Sequence, residues 1–492
     1  MTRYTIVVDR VEDWKWPEDG LRLMSADAFM TKGPPAEQSS RIIILCRRYV
    51  YLSAGYYCSL LAEARGQVPM PTVNDVLSLS QKSLVTVAVP ELEETLQRTI
   101  ARLSAPLEDA FSITITFGQP DDTRFRRFAT ECFDIFRFPI IQVHVVKTGK
   151  GWTIKEIEPL GLHQLPQELG QQFHNALRAH TRARKPTGPG FQPSLYDLAI
   201  LYDPEEILPP SDAAALERFR KIGEDMRIDV ELITKKDYER LPEFDALFIR
   251  ATTAINHYTY RFARKAELEG LAVIDATSSI LRCANKVFLH ELMRRHKIAT
   301  PKSETINRAT FDEATIKALE QDLGYPMVLK IPDGSFSRGT MKAENRAQLI
   351  EHSDTLLKSS RLILAQEFVY TKFDWRVGVL RGEPIFVCQY LMSRNHWQVV
   401  RHREDGTFRE GGYKTMPVGD APHEVVATAV KAASLIGDGL YGVDLKQTDK
   451  GVLVIEVNDN PNIDHGIEDK ITQDALYVKI LSDFIRRVDE AA

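Results

Sequence analysis

Residues 442–462, GVDLKQTDKGVLVIEVNDNPN, place polar groups in a segment that otherwise has the pattern of a buried β-hairpin. Two apolar runs flank QTDKG (447–451), whose residues favour a turn, so an antiparallel pair of strands is predicted. This pairing brings Asp444 within reach of Glu456. Asn458 lies two residues beyond Glu456 and therefore shares its face of the strand.

The second strand of this hairpin has an apolar pattern on both sides. Strict alternation along VLVIEVN puts Val452, Val454, Glu456 and Asn458 on one face, and Leu453, Ile455 and Val457 on the other. Burial of a polar group without a partner costs roughly 2 to 7 kcal/mol, and burial of a charge costs more. A cation is therefore expected against Glu456.

Two interpretations of these polar groups remain open from the hairpin alone. Three oxygen ligands that converge from adjacent strands suit Mg²⁺, which proteins hold with one or two carboxylates plus substrate phosphates. Alternatively, a lysine forms a salt bridge with Glu456, and the segment NDNPN (458–462) makes an Asx-turn. Other parts of the chain must decide between them.

The overall composition indicates a globular protein without a nucleic-acid or membrane partner. The chain has 492 residues, 43% of them apolar and 27% charged, enough for two or three domains with substantial cores. Its net charge of -5 is small, so no basic field favours nucleic acid. Charges interrupt the N-terminal segment and no window approaches a membrane span, so we expect a cytoplasmic protein. The five widely spaced cysteines fit reduced structural thiols.

Composition and the rhythm of strands and helices divide the chain into three domains. The stretch TRARKPTGPGFQPS concentrates Pro, Gly and basic residues, which predicts a linker at 183–194. Before it, residues 1–182 alternate strands and helices as an α/β domain does. After it, residues 195–284 show a βαβ rhythm that predicts a small parallel sheet, and residues 285–492 form the last domain.

Arg250 ends a predicted strand, FDALFIR, in the middle domain. Ligands of parallel sheets usually bind beyond the carboxyl ends of the strands. With Thr252 and the N-terminus of the following helix, Arg250 is therefore a candidate anchor for a substrate carboxylate. The alternative is that Arg250 pairs with a neighbouring acid as a fold contact.

Two lysines upstream of the hairpin indicate a phosphate site. Lys330 lies in a short apolar strand that runs into IPDGSFSRGT, a loop that contains Ser335 and Ser337. Such a loop can turn backbone N–H groups toward a phosphate, and the lysine supplies a point charge beside it. Lys286 opens the helix KVFLHELMRRHKI. Taken singly, Lys330 could instead extend its ammonium outward from an edge strand.

The segment LILAQEFVYTKFDWRV (362–377) adds a third candidate element. In a nucleotide site, this segment could offer backbone groups and Glu367 to adenine, and Asp374 could bind a ribose hydroxyl. The alternative is an amphipathic strand pair with solvated charges.

Taken together, the chain from about Tyr196 onward resembles the ATP-grasp superfamily and, within it, the RimK-type carboxylate-amine ligases. The resemblance rests on Lys286, on Lys330 before a Ser/Gly loop, on QEFV and FDWR, and on GVDL…VIEVNDNPN, where Glu-x-Asn follows the Asp. The first domain looks like the N-terminal domain of some RimK-like proteins, in YLSAGYYCSLLAEARGQ and FGQPDDTRFRRFA.

This resemblance implies a fold and a set of binding residues. The fold is an N-terminal α/β accessory domain, a small parallel α/β pre-ATP-grasp domain, and an ATP-grasp fold of two α+β subdomains that clamp ATP. The nucleotide-binding set would be Lys286, Lys330, Ser335, Ser337, Gln366, Glu367, Phe368 and Asp374. One or two Mg²⁺ ions, or Mn²⁺ in their place, would bind Asp444, Glu456 and Asn458.

The reaction implied joins a carboxylate to an amine in two steps. The carboxylate attacks the γ-phosphate to give an acyl phosphate and ADP, and the amine then displaces phosphate. An arginine is expected at the acyl phosphate, with Arg394 as the preferred catalytic residue and Arg409 as the alternative.

The implied substrates are small molecules, amino acids or peptides, with a protein tail as a further candidate, and a homo-oligomer is expected. Two other functions compete: an ATP-binding regulatory or protein-interaction module, and a phosphotransferase on the same scaffold.

Overall fold

The computed structural model describes residues 4–17, 21–34, 41–80, 82–103, 107–149, 151–181, 194–333, 339–391, 400–402, 408–410 and 412–491. The chain forms two compact units, one of Met1–Lys185 with Arg487–Ala492 and the other of Pro186–Arg486. The predicted linker at 183–194 lies almost entirely outside the described residues. No helix of the described part is both long and apolar enough to cross a bilayer.

The described strands of the first unit form two sheets. They are β1 (Tyr4–Val8), β2 (Arg22–Ser25), β3 (Arg41–Leu45), β4 (Val68–Met70), β5 (Ala110–Thr116), β6 (Gln119–Pro120), β7 (Ile140–Thr148) and β8 (Gly151–Pro159). One sheet is parallel, with the order β2-β1-β3-β4, and the other is antiparallel, with the order β6-β5-β7-β8. This unit is therefore an α/β domain with an added antiparallel sheet.

Helices of the first unit cover these sheets. They are α1 (Ala26–Lys32), α2 (Ala54–Ala64), α3 (Val73–Ser80), α4 (Lys82–Ile100), α5 (Arg126–Phe136) and α6 (Gly170–His180). Helix α5 places Phe128, Cys132 and Phe136 in the core because they recur on one helical face.

The second unit begins with the predicted parallel sheet. Its strands are β9 (Tyr196–Tyr202), β10 (Ile228–Ile233), β11 (Ala246–Arg250) and β12 (Ala272–Ile274), and its helices are α7 (Ala213–Asp225), α8 (Tyr258–Leu268) and α9 (Thr277–Ala284). The strand order is β10-β9-β11-β12, with all pairs parallel. Asp212 caps α7 by accepting a hydrogen bond of 2.7 Å from the Ala215 N–H. Arg250 ends β11, as predicted.

A small antiparallel sheet follows. It contains β13 (Ser303–Asn307), β14 (Met327–Lys330), β15 (Thr340–Ala343) and β16 (Leu362–Glu367), in the order β13-β16-β14-β15, with helices α10 (Lys286–Arg295), α11 (Glu313–Asp322) and α12 (Arg346–Ser359). Met327, Leu329 and Ile363 bury one face of this sheet against α11 and α12. Because side chains alternate, Lys330, Leu364 and Gln366 face the other way.

A larger antiparallel sheet completes the unit. Its strands are β17 (Phe373–Leu380), β18 (Glu383–Leu391), β21 (Tyr413–Met416), β22 (Leu440–Thr448) and β23 (Gly451–Asp459), in the order β21-β18-β17-β22-β23. The described residues also include a ribbon of β19 (Val400–His402) and β20 (Phe408–Glu410), and helices α13 (His423–Ser434) and α14 (Asp474–Ala491). Val377, Val443 and Val457 pack in one core with α13 residues such as Val425 and Ala429.

A β-bulge in the hairpin corrects the predicted strand faces. Asp444 pairs with Glu456, but Leu445 pairs with Val454, so Ile455 has no partner in the register. The extra residue reverses the alternation. As a result, Val452, Val454 and Val457 all lie in the core, while Glu456 and Asn458 lie on the opposite face. The prediction that Val452 and Val454 share a face with Glu456 is therefore wrong.

Candidate active site

The polar face of the larger sheet collects the hairpin acids. Asp444 lies directly opposite Glu456, and Gly442 lies opposite Asn458, which confirms the predicted pairing. The Asn458 amide, through Nδ2, donates a hydrogen bond of 3.1 Å to Oδ2 of Asp444. The three side chains thus meet at one place on the sheet, although they come from two strands.

Each of the two carboxylates has a cationic partner. Arg376 on β17 donates to Asp444 through Nε at 2.7 Å and through Nη2 at 2.8 Å. Lys286, the first residue of α10, places its Nζ 3.3 Å from Oε1 of Glu456. A cation against Glu456 was predicted, and a lysine supplies it in this arrangement.

Burial and neighbouring charges shift the pKa values of the two acids in opposite directions. Burial raises the pKa of Asp444 above its ordinary value, and this effect outweighs the opposing attraction of Arg376. Burial also acts to raise the pKa of Glu456, but the ammonium groups of Lys286 and Lys330 prevail, so its pKa lies below the ordinary value.

Lys330 faces this site from the small sheet. Its Nζ donates a hydrogen bond of 2.8 Å to Oε1 of Gln366, and the Gln366 amide, through Nε2, donates one of 3.0 Å to Oγ of Ser303. Burial lowers the pKa of Lys330 to about 8, with Lys286 acting in the same direction and Glu456 opposing it. The charged form of Lys330 is therefore destabilised by burial, and an anionic partner would stabilise it.

A cleft runs between the small sheet and the hairpin. About 420 Å³ of empty space lies in it, including the solvent at its open mouth. Its lining combines apolar walls with the charged groups just described: Lys286, Leu289, His290, Met293, Thr300, Lys330, Leu364, Gln366, Val454, Ile455, Glu456 and Val457. The lining therefore places apolar side chains beside the ammonium groups of Lys286 and Lys330.

The other residues predicted at adenine and ribose lie near this cleft with defined partners. Glu367 accepts a hydrogen bond of 2.8 Å from the Lys302 N–H. Lys342 places its Nζ 4.3 Å from the centre of the Phe368 ring. Asp374 lies on the polar face of β17, where it pairs with Lys446 and accepts a hydrogen bond of 3.0 Å from Thr371.

Arg250 has the contacts expected of the alternative interpretation, a fold contact. Its side chain has 0% exposure, and its donors contact Oγ of Ser211 at 3.0 Å and Oδ1 of Asn460 at 2.6 Å. It also donates to the carbonyl oxygens of Pro210 and Pro461. A guanidinium buried and bonded in this way cannot reach a substrate without rearrangement, so the predicted substrate anchor is not supported.

Thr252 is likewise engaged within the protein. Its N–H lies 3.2 Å from both carboxylate oxygens of Glu206, and its hydroxyl donates to the same carboxylate. The substrate-binding prediction for Thr252 is therefore not supported by this arrangement.

The side chains of four other predicted residues, Ser335, Ser337, Arg394 and Arg409, are not among those that the structure describes. Ser335, Ser337 and Arg394 lie outside the described residues. The backbone of Arg409 pairs with that of Arg401 in the β19–β20 ribbon, and its side chain is not described. The assignment of an arginine to the acyl phosphate stays a prediction at these positions.

Comparison with known proteins settles the family. A family model described as RimK-like ATP-grasp domain matches residues 283–482, and one described as RimK-like ATPgrasp N-terminal domain matches residues 26–176. The alpha-aminoadipate–LysW ligase LysX of Saccharolobus solfataricus is 31% identical over 201 residues, which cover 40% of this chain and 68% of that protein. The chain belongs to the RimK-like ATP-grasp family.

Other RimK-like relatives are similar over longer stretches. A probable alpha-L-glutamate ligase of Vibrio atlanticus is 28% identical, covering 48% of this chain and 75% of that protein. One from Legionella pneumophila is 29% identical, covering 49% of this chain and 76% of that protein. The predicted ATP-grasp fold is thereby confirmed, and so is the predicted activity: this RimK-like chain is an ATP-dependent ligase that joins a carboxylate to an amine.

The RimK-like family implies a divalent cation, and the hairpin has the donor chemistry for one. No group of three or more His, Cys, Asp and Glu side chains in the described part of the chain could hold a metal ion by itself. Asp444 and Glu456 nevertheless offer two opposed carboxylates, and Asn458 offers an amide oxygen if its amide turns over. Hard oxygen donors of this kind suit Mg²⁺.

Sequence reasoning missed several polar side chains of this RimK-like site. Arg376 and Lys446 lie on the same face of the sheet as Asp374 and Asp444. Alternation could have found Arg376, because it lies two residues after Asp374 in FDWR. No sequence pattern places Glu468 beside Tyr390, since that contact joins a strand to a distant loop.

Proposed function

We propose that this ligase activates the carboxylate of an amino acid as an acyl phosphate, at the cleft between the small sheet and the hairpin. An amine then displaces phosphate, so that an amide forms and ADP and phosphate leave. The observation that carries the proposal is that Lys286, Lys330 and Glu456 line one cleft. Asp444 and Asn458 lie beside Glu456 on the hairpin.

The lysines bind the phosphates in this proposal. Lys330 is desolvated and donates a hydrogen bond to the uncharged amide of Gln366, so an anion nearby would stabilise its charged form. Lys286 contacts Glu456, and its ammonium would also attract the phosphates. The lysines lower the charge repulsion that the attacking carboxylate meets, a term that dominates phosphoryl transfer.

Asp444, Glu456 and Asn458 hold the divalent cation, Mg²⁺ or Mn²⁺, in this proposal. When bound, such an ion neutralises phosphate charge and orients the phosphates. The walls Leu289, Met293 and Leu364 exclude water from the base-binding part of the cleft. Gln366, Glu367, Phe368 and Asp374 belong to the nucleoside end.

The relatives support an amino acid substrate. They are named for the joining of alpha-aminoadipate to LysW and for alpha-L-glutamate ligation. We propose an amino acid with an acidic side chain as one substrate and an amino acid, a peptide or a protein tail as the other. The homo-oligomer and the cytoplasmic location stay predictions.

The test measures ADP and phosphate release with ATP, Mg²⁺ and panels of acidic amino acids, paired with amine acceptors. ADP release must depend on both substrates, and mass spectrometry must find the amide. Release of AMP and pyrophosphate would contradict the acyl phosphate. ATP binding without turnover would favour a regulatory module, and a stable phosphorylated product would favour a phosphotransferase. Glu456→Gln serves as the inactive control.

A further inference from the structure

His465 lies in the loop that follows β23, and hydrogen bonds tie this loop to two sheets. On one side, the Ile463 N–H donates to the carbonyl oxygen of Pro210 at 2.9 Å, and Oγ of Ser211 donates to the carbonyl oxygen of Ile463 at 2.8 Å. Pro210 and Ser211 lie between β9 and α7, and therefore at the carboxyl edge of the parallel sheet. Ligands of parallel sheets usually bind at this edge.

The other side of the loop is tied to the sheet that carries the hairpin acids. The carbonyl oxygen of Ile467 accepts a hydrogen bond of 2.7 Å from Thr415 on β21, and Tyr390 on β18 donates to Glu468. The Tyr390 ring centre lies 5.1 Å from the guanidinium that holds Asp444. The loop therefore connects the hairpin acids to the ligand edge of the parallel sheet.

A buried carboxylate fixes the orientation of the His465 ring. Nδ1 of His465 lies 2.8 Å from Oδ2 of Asp469, whose side chain is 2% exposed. The same carboxylate accepts hydrogen bonds of 2.9 Å from the Tyr477 hydroxyl and 2.6 Å from the Gly466 N–H. Burial acts to raise the pKa of Asp469, but these three hydrogen bonds prevail, so its pKa lies below the ordinary value. Asp469 is therefore ionised at neutral pH.

An ionised Asp469 can only accept hydrogen bonds, so it determines the tautomer of the neutral His465 ring. The ring proton lies on Nδ1, which faces the carboxylate, and the basic lone pair lies on Nε2. The His465 side chain is 42% exposed, and Nε2 has no hydrogen-bond partner among the residues that the structure describes. Nε2 is thus a base that a solute can reach.

The charged groups around this imidazole are mostly acidic. Asp212, at the start of α7, accepts a hydrogen bond of 3.3 Å from the His465 N–H, and Asp464 precedes His465 in the loop. Arg218 on α7 is paired with Asp474, the first residue of α14. A local excess of negative charge attracts cations. The surroundings therefore favour the ammonium form of an amine over an anionic substrate at this position.

We propose that His465 is the general base of this ligase, which takes a proton from the ammonium group of the acceptor substrate through Nε2. The freed nitrogen lone pair forms the C–N bond to the acyl carbon, and the C–O bond to phosphate breaks with its electron pair on the phosphate. Of the two remaining amine protons, one stays in the amide and the other passes to the departing phosphate. Asp469 and Tyr477 are positioning residues. The inference rests on the proposed function, which supplies the acyl phosphate.

His465→Asn tests the base directly, because the amide nitrogen of the new side chain can replace Nδ1 as the donor to Asp469 while the base is removed. With an acceptor amine at neutral pH and saturating ATP, kcat should fall about 100-fold, as expected for the loss of a general base. His423→Asn, at the exposed start of α13, is the matched control and should ligate like the wild type. Wild-type kcat in His465→Asn would overturn the proposal.

Hydroxylamine distinguishes a missing base from a damaged site. It is largely uncharged at neutral pH, so it attacks an acyl phosphate without first losing a proton. With ATP, Mg²⁺ and the panel of acidic amino acids, His465→Asn should therefore form the hydroxamate at about the wild-type rate. An equal loss of hydroxamate and amide would mean that His465 only supports the loop, which overturns the proposal. If the wild type forms no hydroxamate with any acid, the proposed function fails and this inference with it.

The pH dependence gives a second readout. Solvent removes the ammonium proton of the acceptor as the pH rises, so the kcat deficit of His465→Asn should shrink by up to about tenfold per pH unit. A deficit that stays constant up to the pKa of the acceptor amine would contradict a missing base.

Asp469→Asn should show the same signature as His465→Asn, because its amide would donate to Nδ1 and leave the ring proton on Nε2. We expect amide formation to fall about 100-fold while hydroxamate formation is kept. If His465→Asn does not fold, Asp469→Asn carries the test, and wild-type ligation by this variant would overturn the proposal.

Discussion

Asp444 and Glu456 face each other across the β22–β23 ladder, and each is neutralised by a cation from a different element. Arg376 comes from the adjacent strand of the same sheet, whereas Lys286 begins the helix that lines the cleft. Two acids buried side by side would repel each other, so these cations stabilise the hairpin. The same charge balance makes the site receptive to a metal–phosphate complex.

Asp444→Asn should slow turnover much more than it weakens ATP binding. The amide keeps the size of the side chain but removes the charge that a divalent cation needs, so we expect a fall in kcat of roughly 100-fold. Steady-state ligation at a series of Mg²⁺ concentrations measures the effect. Asp449→Asn, in the exposed turn of the same hairpin, is the matched control. Wild-type turnover in Asp444→Asn at ordinary Mg²⁺ would show that the ligand assignment is wrong.

Lys330→Ala should weaken ATP binding roughly 10- to 100-fold, because a charge-assisted contact contributes about 1.5 to 3 kcal/mol. Calorimetric titration with a non-hydrolysable ATP analogue measures this change. Lys317→Ala is the control, since Lys317 lies on the same subdomain with 63% side-chain exposure and forms a surface pair with Glu313. Equal affinities in the two variants would remove Lys330 from the phosphate site.

The affinity for ATP should fall as the pH rises above about 8. Burial lowers the pKa of Lys330 to about 8, so the ammonium that attracts phosphate is present below that pH and lost above it. A bound triphosphate moves this loss to higher pH. We expect the dissociation constant to increase toward about tenfold per pH unit in the alkaline range.

Lys330→Arg provides the control for this pH profile, because a guanidinium stays protonated throughout the range. Its profile should be flat between pH 7 and 10, measured with the same ATP analogue. A wild-type profile as flat as that of Lys330→Arg would contradict the assignment of the titration to Lys330.

Arg250→Met should destabilise the second unit and leave the KM values of the folded enzyme unchanged. Removal of the guanidinium leaves the buried oxygens of Ser211, Asn460 and Pro461 without a donor, at a cost of about 3 kcal/mol or more. Chemical denaturation followed by intrinsic fluorescence measures the loss.

Arg294→Met is the comparison for Arg250→Met, since the Arg294 side chain is 68% exposed and its surface pair with Glu291 should contribute under about 1 kcal/mol. A stable Arg250→Met protein with a raised KM for a carboxylate substrate would restore the substrate-anchor interpretation.

Local patterns predicted much of this site because they act over short distances. The turn in QTDKG and the spacing of Glu456 and Asn458 fixed which groups meet, and the ladder confirms it. The β-bulge was not predictable, since Ile455 has no special residue type to mark it. The contacts of Arg250 were not predictable, because its partners Asn460 and Pro461 lie over 200 residues away in the chain.

The extra residue Ile455 determines which side chains of β23 pack in the core and which face the cleft. A regular strand of the same sequence would keep Val452 and Val454 in the core and turn Glu456 toward it as well. Another scaffold that receives residues 451–459 unchanged must therefore reproduce the bulge at Ile455. Deletion of Ile455 alone would remove the bulge, and strict alternation would then place Val454 and Val457 in the core and Glu456 on the cleft face.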